Sequence, residues 1–212
     1  MRSFRAERVS EFIHHLLNLQ KERAAKVLRE LEKYPIVLTR SLSDAKRWLK
    51  NQARGNERIG MLACSKAERL KAININVRYK PDFVHWFLEK DDDIRSSNAL
   101  EDTLTEFEVQ GLEIDWACVA WDADLRLNAA HSKWEHHQLR SGKNWQKILK
   151  EINQTYQLNA YRVLLTRARQ GLVIVVPEGD YGVPPDTSRR PEYYDGIFSY
   201  LKSLGIPEIH TA

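Results

Sequence analysis

The run Leu172-Val173-Ile174-Val175-Val176, closed by Pro177, has the fewest folding options of any stretch in the chain. An aliphatic run with no polar alternation suits a strand buried on both faces, which requires a sheet with helices packed on either side. Residues 159–170 before it are helix-compatible and carry Arg162, Arg167 and Arg169, and Gly171 stands where the period changes. The pattern predicts a helix that ends at a glycine and presents Arg167 and Arg169 on a rigid rim of the sheet. Such a rim suits phosphate; equally, the arginines fit a solvated helix face with basic charge near its C-terminus.

The rest of the chain supplies partners for that strand. Val9, Phe12, Ile13, Leu16 and Leu17 recur at helical spacing, as do Ala24, Val27, Leu28 and Leu31, so two short helices occupy residues 1–34 and lead into a main domain over 35–212. A strand over 35–40 precedes a helix carrying Ala45, Trp48 and Leu49, with Ser41 or Ser43 as cap. A second strand over 58–64 precedes a helix that Ser65 can cap. This β-α-β-α order implies parallel strands and an α/β fold. Residues 74–104 read as an irregular insertion with an acidic run at Asp91, Asp92 and Asp93. Strands follow over 105–109 and 114–121, then a polar, aromatic stretch over 122–145 and a helix starting near Gln146. After the loop at Pro184-Pro185 a last amphipathic helix carries Tyr193, Tyr194, Ile197, Phe198 and Leu201.

With 212 residues, 42% of them hydrophobic, the chain can bury a substantial core. A net charge of +4 permits nucleic-acid binding without arguing for it. Cys64 and Cys118 lie inside aliphatic runs and read as reduced core residues of a cytoplasmic protein. No apolar run approaches membrane-spanning length, and no signal peptide opens the chain. His131, His136 and His137 lack the spacing of a metal site, so no metal is expected. Trp86, Trp116, Trp121, Trp134 and Trp145 offer rings for stacking on bases, but Trp116 and Trp121 fall within a core strand and read as packing.

Two motifs carry the chemistry. Leu165-Thr166-Arg167-Ala168-Arg169-Gln170 resembles the last motif of superfamily-one helicases, where Thr-Arg-Ala precedes a strand. Thr105-Glu106-Phe107-Glu108-Val109-Gln110-Gly111-Leu112-Glu113 resembles the helicase motif Thr-x-His-x-Ser-Gln-Gly-x-Glu, with Phe107 and Val109 standing where that family has His and Ser. On its own this second stretch also reads as an acidic hairpin whose glycine lets a ligand approach the backbone closely. Together with Arg2-Ser3-Phe4-Arg5-Ala6, Tyr34 to Arg40 and the block from Arg95 to Asp124, the motifs resemble the C-terminal half of bacterial helicase-like proteins of the Schlafen group, over essentially the whole chain. The resemblance implies a RecA-like second helicase domain. In it Arg167 is the arginine finger, with Arg162 and Arg169 as weaker candidates. Gln110, Gly111, Glu113, Arg69 and Arg169 face nucleotide, and Thr105 faces single-stranded DNA or RNA.

The sequence contains no G-x-x-x-x-G-K-[ST] phosphate loop and no strand ending in Asp-Glu. The expectation is therefore a domain that takes part in ATP and Mg2+ chemistry only with a first RecA-like domain bearing those motifs, in cis or in trans. A chain that is a fragment, a truncated gene product or a partner-dependent subunit would fit, as would a remnant that binds nucleic acid or protein without ATP chemistry.

Overall fold

The computed structural model describes residues 4–31, 33–89, 92–128 and 130–209. Asp91 and the residues Arg2 and Ser3 lie outside them. Helices α1 (Phe4–Leu17) and α2 (Lys21–Arg29) open the chain, as their periodicity predicts. Their apolar stripes, including Phe12, Ile13, Leu16 and Ala24, are fully buried in the same core cluster as the sheet.

Strands β1 (Ile36–Thr39), β2 (Ile59–Ala63), β3 (Thr103–Leu104), β4 (Ile114–Ala120) and β8 (Ala168–Val175) form one sheet in the order β1-β8-β4-β2-β3, with every pairing parallel. β4 and β8 lie side by side in its interior. Leu172, Val173, Ile174 and Val175 are 0% exposed, as a strand covered on both faces requires. Each such side chain contributes about 1.5–3 kcal/mol by leaving water. Helix α3 (Leu42–Gln52), capped by the Ser41 hydroxyl on Asp44 N, crosses from β1 toward β2 and packs on β4 and β8. The long helix α5 (Glu151–Leu165) leads into β8, and α6 (Glu192–Ser203) closes the chain.

Several boundaries differ from the sequence reading, each for a local reason. Helix α5 ends at Leu165 because Thr166 turns its hydroxyl back onto Arg162 O at 2.9 Å, and the strand begins at Ala168. Arg167 therefore sits in the turn and Arg169 on the strand, not together on a helix. Gly171 is a strand residue, not a cap: a Cβ there would come within 2.7 Å of both Pro35 O and the Trp116 ring.

The expected strand over 105–109 is a turn instead. Glu108 folds back so that its carboxylate accepts from Thr105 N at 2.8 Å and from the Thr105 hydroxyl, and Glu108 N and Val109 N both donate to Thr105 O. The strand is the shorter β3 just before it. The segment after Ser65 forms a 3₁₀ turn over Glu68–Ile73, and the 74–104 insertion holds helix α4 (Phe83–Leu88), capped by Asp82. Trp86 on α4 anchors the insertion, filling the space above Gly60, where a Cβ would lie 2.6 Å from its ring.

The polar stretch over 122–145 is built largely of strands. It contains β5 (Leu125–Leu127) and β6 (Trp134–Arg140), which continue with β7 (Asn144–Lys147) into a second, antiparallel sheet; the helix expected near Gln146 starts only at Glu151. Cys64 and Cys118 are buried free thiols. Among the described residues no helix is long and apolar enough to cross a membrane, and no group of His, Cys, Asp and Glu side chains is arranged to hold a metal ion.

Candidate functional site

Because the strands are parallel, the sheet has one amino edge and one carboxyl edge, and the motif residues divide between them. Arg167 precedes β8, and Glu113 precedes β4. The two segments are stitched together: Ile114 N donates to Arg167 O at 3.3 Å, and Arg167 Nη1 donates to Leu112 O at 3.5 Å. Gln110, Gly111 and Glu113 are exposed on the adjoining loop. Gly111 has φ +91°, and nothing lies within 4 Å of where its Cβ would be, so the backbone is open to close approach. The structure thus brings Gln110, Gly111, Glu113 and Arg167 to one edge.

The three arginines of the motif stretch differ in their partners. Arg169, on β8, pairs with Asp115 Oδ1 at 2.8 Å. A bulge creates this pair. The β4–β8 register runs from Ile114↔Ala168 to Trp116↔Gly171, so Asp115 alone opposes both Arg169 and Gln170. Asp115 accepts from Arg169, from Gln170 at 3.4 Å and from Arg58 N at 2.8 Å. Beside it Glu57 accepts from Trp116 Nε1 at 2.9 Å and from Gln170, and these bonds hold its carboxyl below the usual range. Arg162 donates to the Asn159 side chain. Arg167 donates from Nε to Val163 O at 3.0 Å and, among the described residues, otherwise only to Leu112 O. Among the described residues it has no carboxylate partner, so its charge is neutralised by nothing stronger than carbonyl dipoles.

Arg69 stands apart from this group. Its backbone N donates to Asp122 Oδ2 at 2.9 Å beyond the end of β4, and its guanidinium pairs with Asp186. That is the carboxyl edge. Thr105 also lies toward that edge, just past the end of β3, 4% exposed and with its hydroxyl committed to Glu108.

The carboxyl edge carries a feature the sequence reading missed, in the segment Trp121-Asp122-Ala123-Asp124 that leaves β4. Both acids are 0% exposed. Asp122 accepts from the Tyr194 hydroxyl at 2.9 Å and from Arg69 N, and Asp124 accepts from the Tyr161 hydroxyl at 2.6 Å and Gln157 Nε2 at 2.9 Å. Burial is the main force raising both acids, and the Asp122 charge raises Asp124 further, to about 7. Burial, reinforced by Asp124, pushes the Tyr161 hydroxyl well up. Two acids directly after an aliphatic run were the available signal. Trp86 and Trp121 are 0% exposed and Trp116 8%, so these rings are packed, not offered to bases; Trp121 stacks on Trp134.

In doubly wound sheets the ligand usually binds outside the carboxyl ends of the strands. Here that end of β4 is filled by buried acids and their tyrosine and glutamine partners, whereas the amino edge carries the open glycine loop and the uncompensated Arg167. Searches of curated proteins and of solved structures return no match. The model of one family, Schlafen group 3, DNA/RNA helicase domain, matches residues 1–178. The chain therefore belongs to the Schlafen group 3 DNA/RNA helicase domain family.

Proposed function

We propose that this chain is a RecA-like second domain of an ATP-dependent DNA or RNA helicase or translocase, and that its amino edge faces a nucleotide held by a first domain bearing the phosphate loop. The observation that carries this reading is the state of Arg167, a guanidinium at a rigid strand start, beside an exposed glycine loop, with no carboxylate partner among the described residues. A cation whose charge is not consumed within its own domain is suited to neutralise charge elsewhere. ATP and Mg2+, bound with the first domain, would supply the phosphoryl group on which charge develops. Arg167 stabilises that charge, while Glu113, Gln110 and the open backbone at Gly111 receive the rest of the nucleotide. Arg169, paired with Asp115, braces the edge. Arg69, on the opposite edge and paired with Asp186, is left out of this group.

A nucleic-acid contact from Thr105 would require its hydroxyl to leave Glu108, so single-strand binding by the chain alone is expected to be weak and salt-sensitive.

The test is reconstitution with a phosphate-loop-bearing first domain. Alone, the chain should show no ATPase activity above background. In the pair, Arg167→Ala should lower turnover by roughly 10³ to 10⁵, the range of measured arginine fingers. Arg167→Lys should fare little better, because lysine lacks the planar fork that spans two phosphate oxygens. Full turnover with Arg167→Ala would defeat the assignment, and loss with Arg169→Ala alone would move it to Arg169.

A further inference from the structure

The antiparallel sheet holds a second cationic centre, remote in sequence from the helicase motifs. The registers Arg126↔Glu135, His137↔Lys147 and Leu139↔Trp145 place Arg126, Glu135, His137, Lys147 and Trp145 on one face, since directly opposed residues share a face and side chains alternate along each strand. Arg126 is 6% exposed. Its guanidinium lies 3.7 Å over the Tyr193 ring of α6 and 5.4 Å from the Trp145 ring. Trp145 is itself tied down by its indole N–H on Ser188 O at 2.7 Å.

Among the described residues Arg126 forms no ion pair, and Glu135, the carboxylate facing it, acts on it only from farther off. Glu135 lies 3.6 Å from Lys147. Its Nε donates to His137 Nδ1 at 3.2 Å, and among the described residues Nη2 is buried with no hydrogen-bond acceptor. Leaving a buried donor of a charged group unmet is costly, and arginine does not escape by losing its proton. Burial and the charge of Arg126 hold His137 down at about 4. At neutral pH the ring is uncharged, and with Nδ1 accepting from Arg126 its proton sits on Nε2 as a further donor.

We propose that Arg126, with His137 Nε2–H and the ammonium of Lys147, forms a binding site for a phosphate-class oxyanion, held against the Tyr193 and Trp145 rings. A tetrahedral anion accepts from donors arriving from several strands at once, and a guanidinium matches two of its oxygens. The anion supplies the acceptor that Nη2 lacks and a contact charge that Glu135, lying against Lys147 and acting on Arg126 only from farther off, does not supply. The site is independent of Arg167, so it stands or falls apart from the ATPase reading.

The test follows the Trp145 indole N–H resonance of the ¹⁵N-labelled chain, identified by its absence in Trp145→Phe. Inorganic phosphate is titrated at ionic strength held constant with chloride, and a short single-stranded deoxythymidine oligomer is titrated separately. A saturable shift is expected, weakened about tenfold or more in Arg126→Met, the loss expected of a charge-assisted hydrogen bond. Lys147→Gln, at an exposed position, should weaken it less and serves if Arg126→Met does not fold. Saturation by phosphate alone identifies a free phosphate site, and much tighter saturation by the oligomer identifies the nucleic-acid backbone. No saturable shift with either probe, or a shift that neither variant weakens, overturns the proposal.

Discussion

The two edges of the parallel sheet carry similar residue types and treat them oppositely. At the carboxyl edge, Asp122 and Asp124 are sealed under Tyr161, Tyr194 and Gln157, and every carboxylate oxygen has a partner inside the protein. At the amino edge, Asp115 and Glu57 anchor a half-exposed array, and among the described residues Arg167 is held only by carbonyls. A satisfied, buried polar network fixes the conformation of the chain that builds it. A charged group satisfied only by dipoles keeps most of its field for something outside. The proposed function therefore lies at the amino edge, where among the described residues the Arg167 charge meets carbonyls and no carboxylate, although ligands in sheets of this kind usually bind at the other.

That contrast breaks most readily at Asp124. Asp124→Ala leaves the Tyr161 hydroxyl without its acceptor in the core, whereas the Gln157 amide keeps Asp124 O and His137 O, each at 3.1 Å, so urea unfolding should show a loss of roughly 1–3 kcal/mol. Near wild-type stability for this variant would show that the carboxyl edge is not locked by its buried acids. Asp124→Asn should be milder, because it keeps an acceptor for Tyr161.

The same residue gives a pH signature of known sign. Its pKa is raised in the folded chain to about 7, whereas an unfolded aspartate titrates near 3.9. The folded state holds the proton more tightly, so this group's contribution is complete below about pH 4 and is lost as the pH rises through about 7. His136 and His137 act in the opposite sense. Both are depressed mainly by burial, His137 to about 4, so they contribute above the ordinary histidine range and lose that contribution as the pH falls. The difference between wild type and Asp124→Asn, followed by urea midpoint from pH 5 to pH 8, isolates the aspartate and should shrink steadily toward the alkaline end. A difference that stays flat over this range would mean that Asp124 is already ionised in the folded protein at pH 5.

How much of this was legible in the sequence depended on how each strand is covered. β1, β2, β4 and the second half of β8 are buried on both faces and appear as aliphatic runs, readable without a partner. The first half of β8, Ala168-Arg169-Gln170-Gly171, pairs at the sheet rim across the Asp115 bulge, so its residues are polar and mimic a helix end. β3 is only two residues long, and the alternation read as a strand belongs to the turn after it. β6 is half-buried on both faces, so Trp134-Glu135-His136-His137-Gln138 shows no clean period. Arg167 and Glu113 were legible as motif residues, and the edge they share follows from parallel topology. The pairing that separates Arg169 from Arg167 was not, because Asp115 meets Arg169 only through the bulge.

The smallest expected effect discriminates most sharply between a brace and a presented cation. Arg169→Ala removes the partner of a largely buried Asp115 carboxylate, but Arg169 is 57% exposed, so solvent screening limits the loss to about 0.2–1 kcal/mol. Arg167→Ala removes a donor from Val163 O at the end of α5 and a marginal contact to Leu112 O, and strands no carboxylate. A cation at a helix C-terminus contributes typically about 0.3–1 kcal/mol, so this variant too should lose less than about 1 kcal/mol, with an unchanged denaturant slope. An Arg167→Ala chain that folds this well yet abolishes turnover in the reconstituted pair would place the side chain's main work outside its own domain. A loss above about 2 kcal/mol, beyond what a cap of this kind supplies, would instead make Arg167 the structural tie between the α5–β8 turn and the glycine loop.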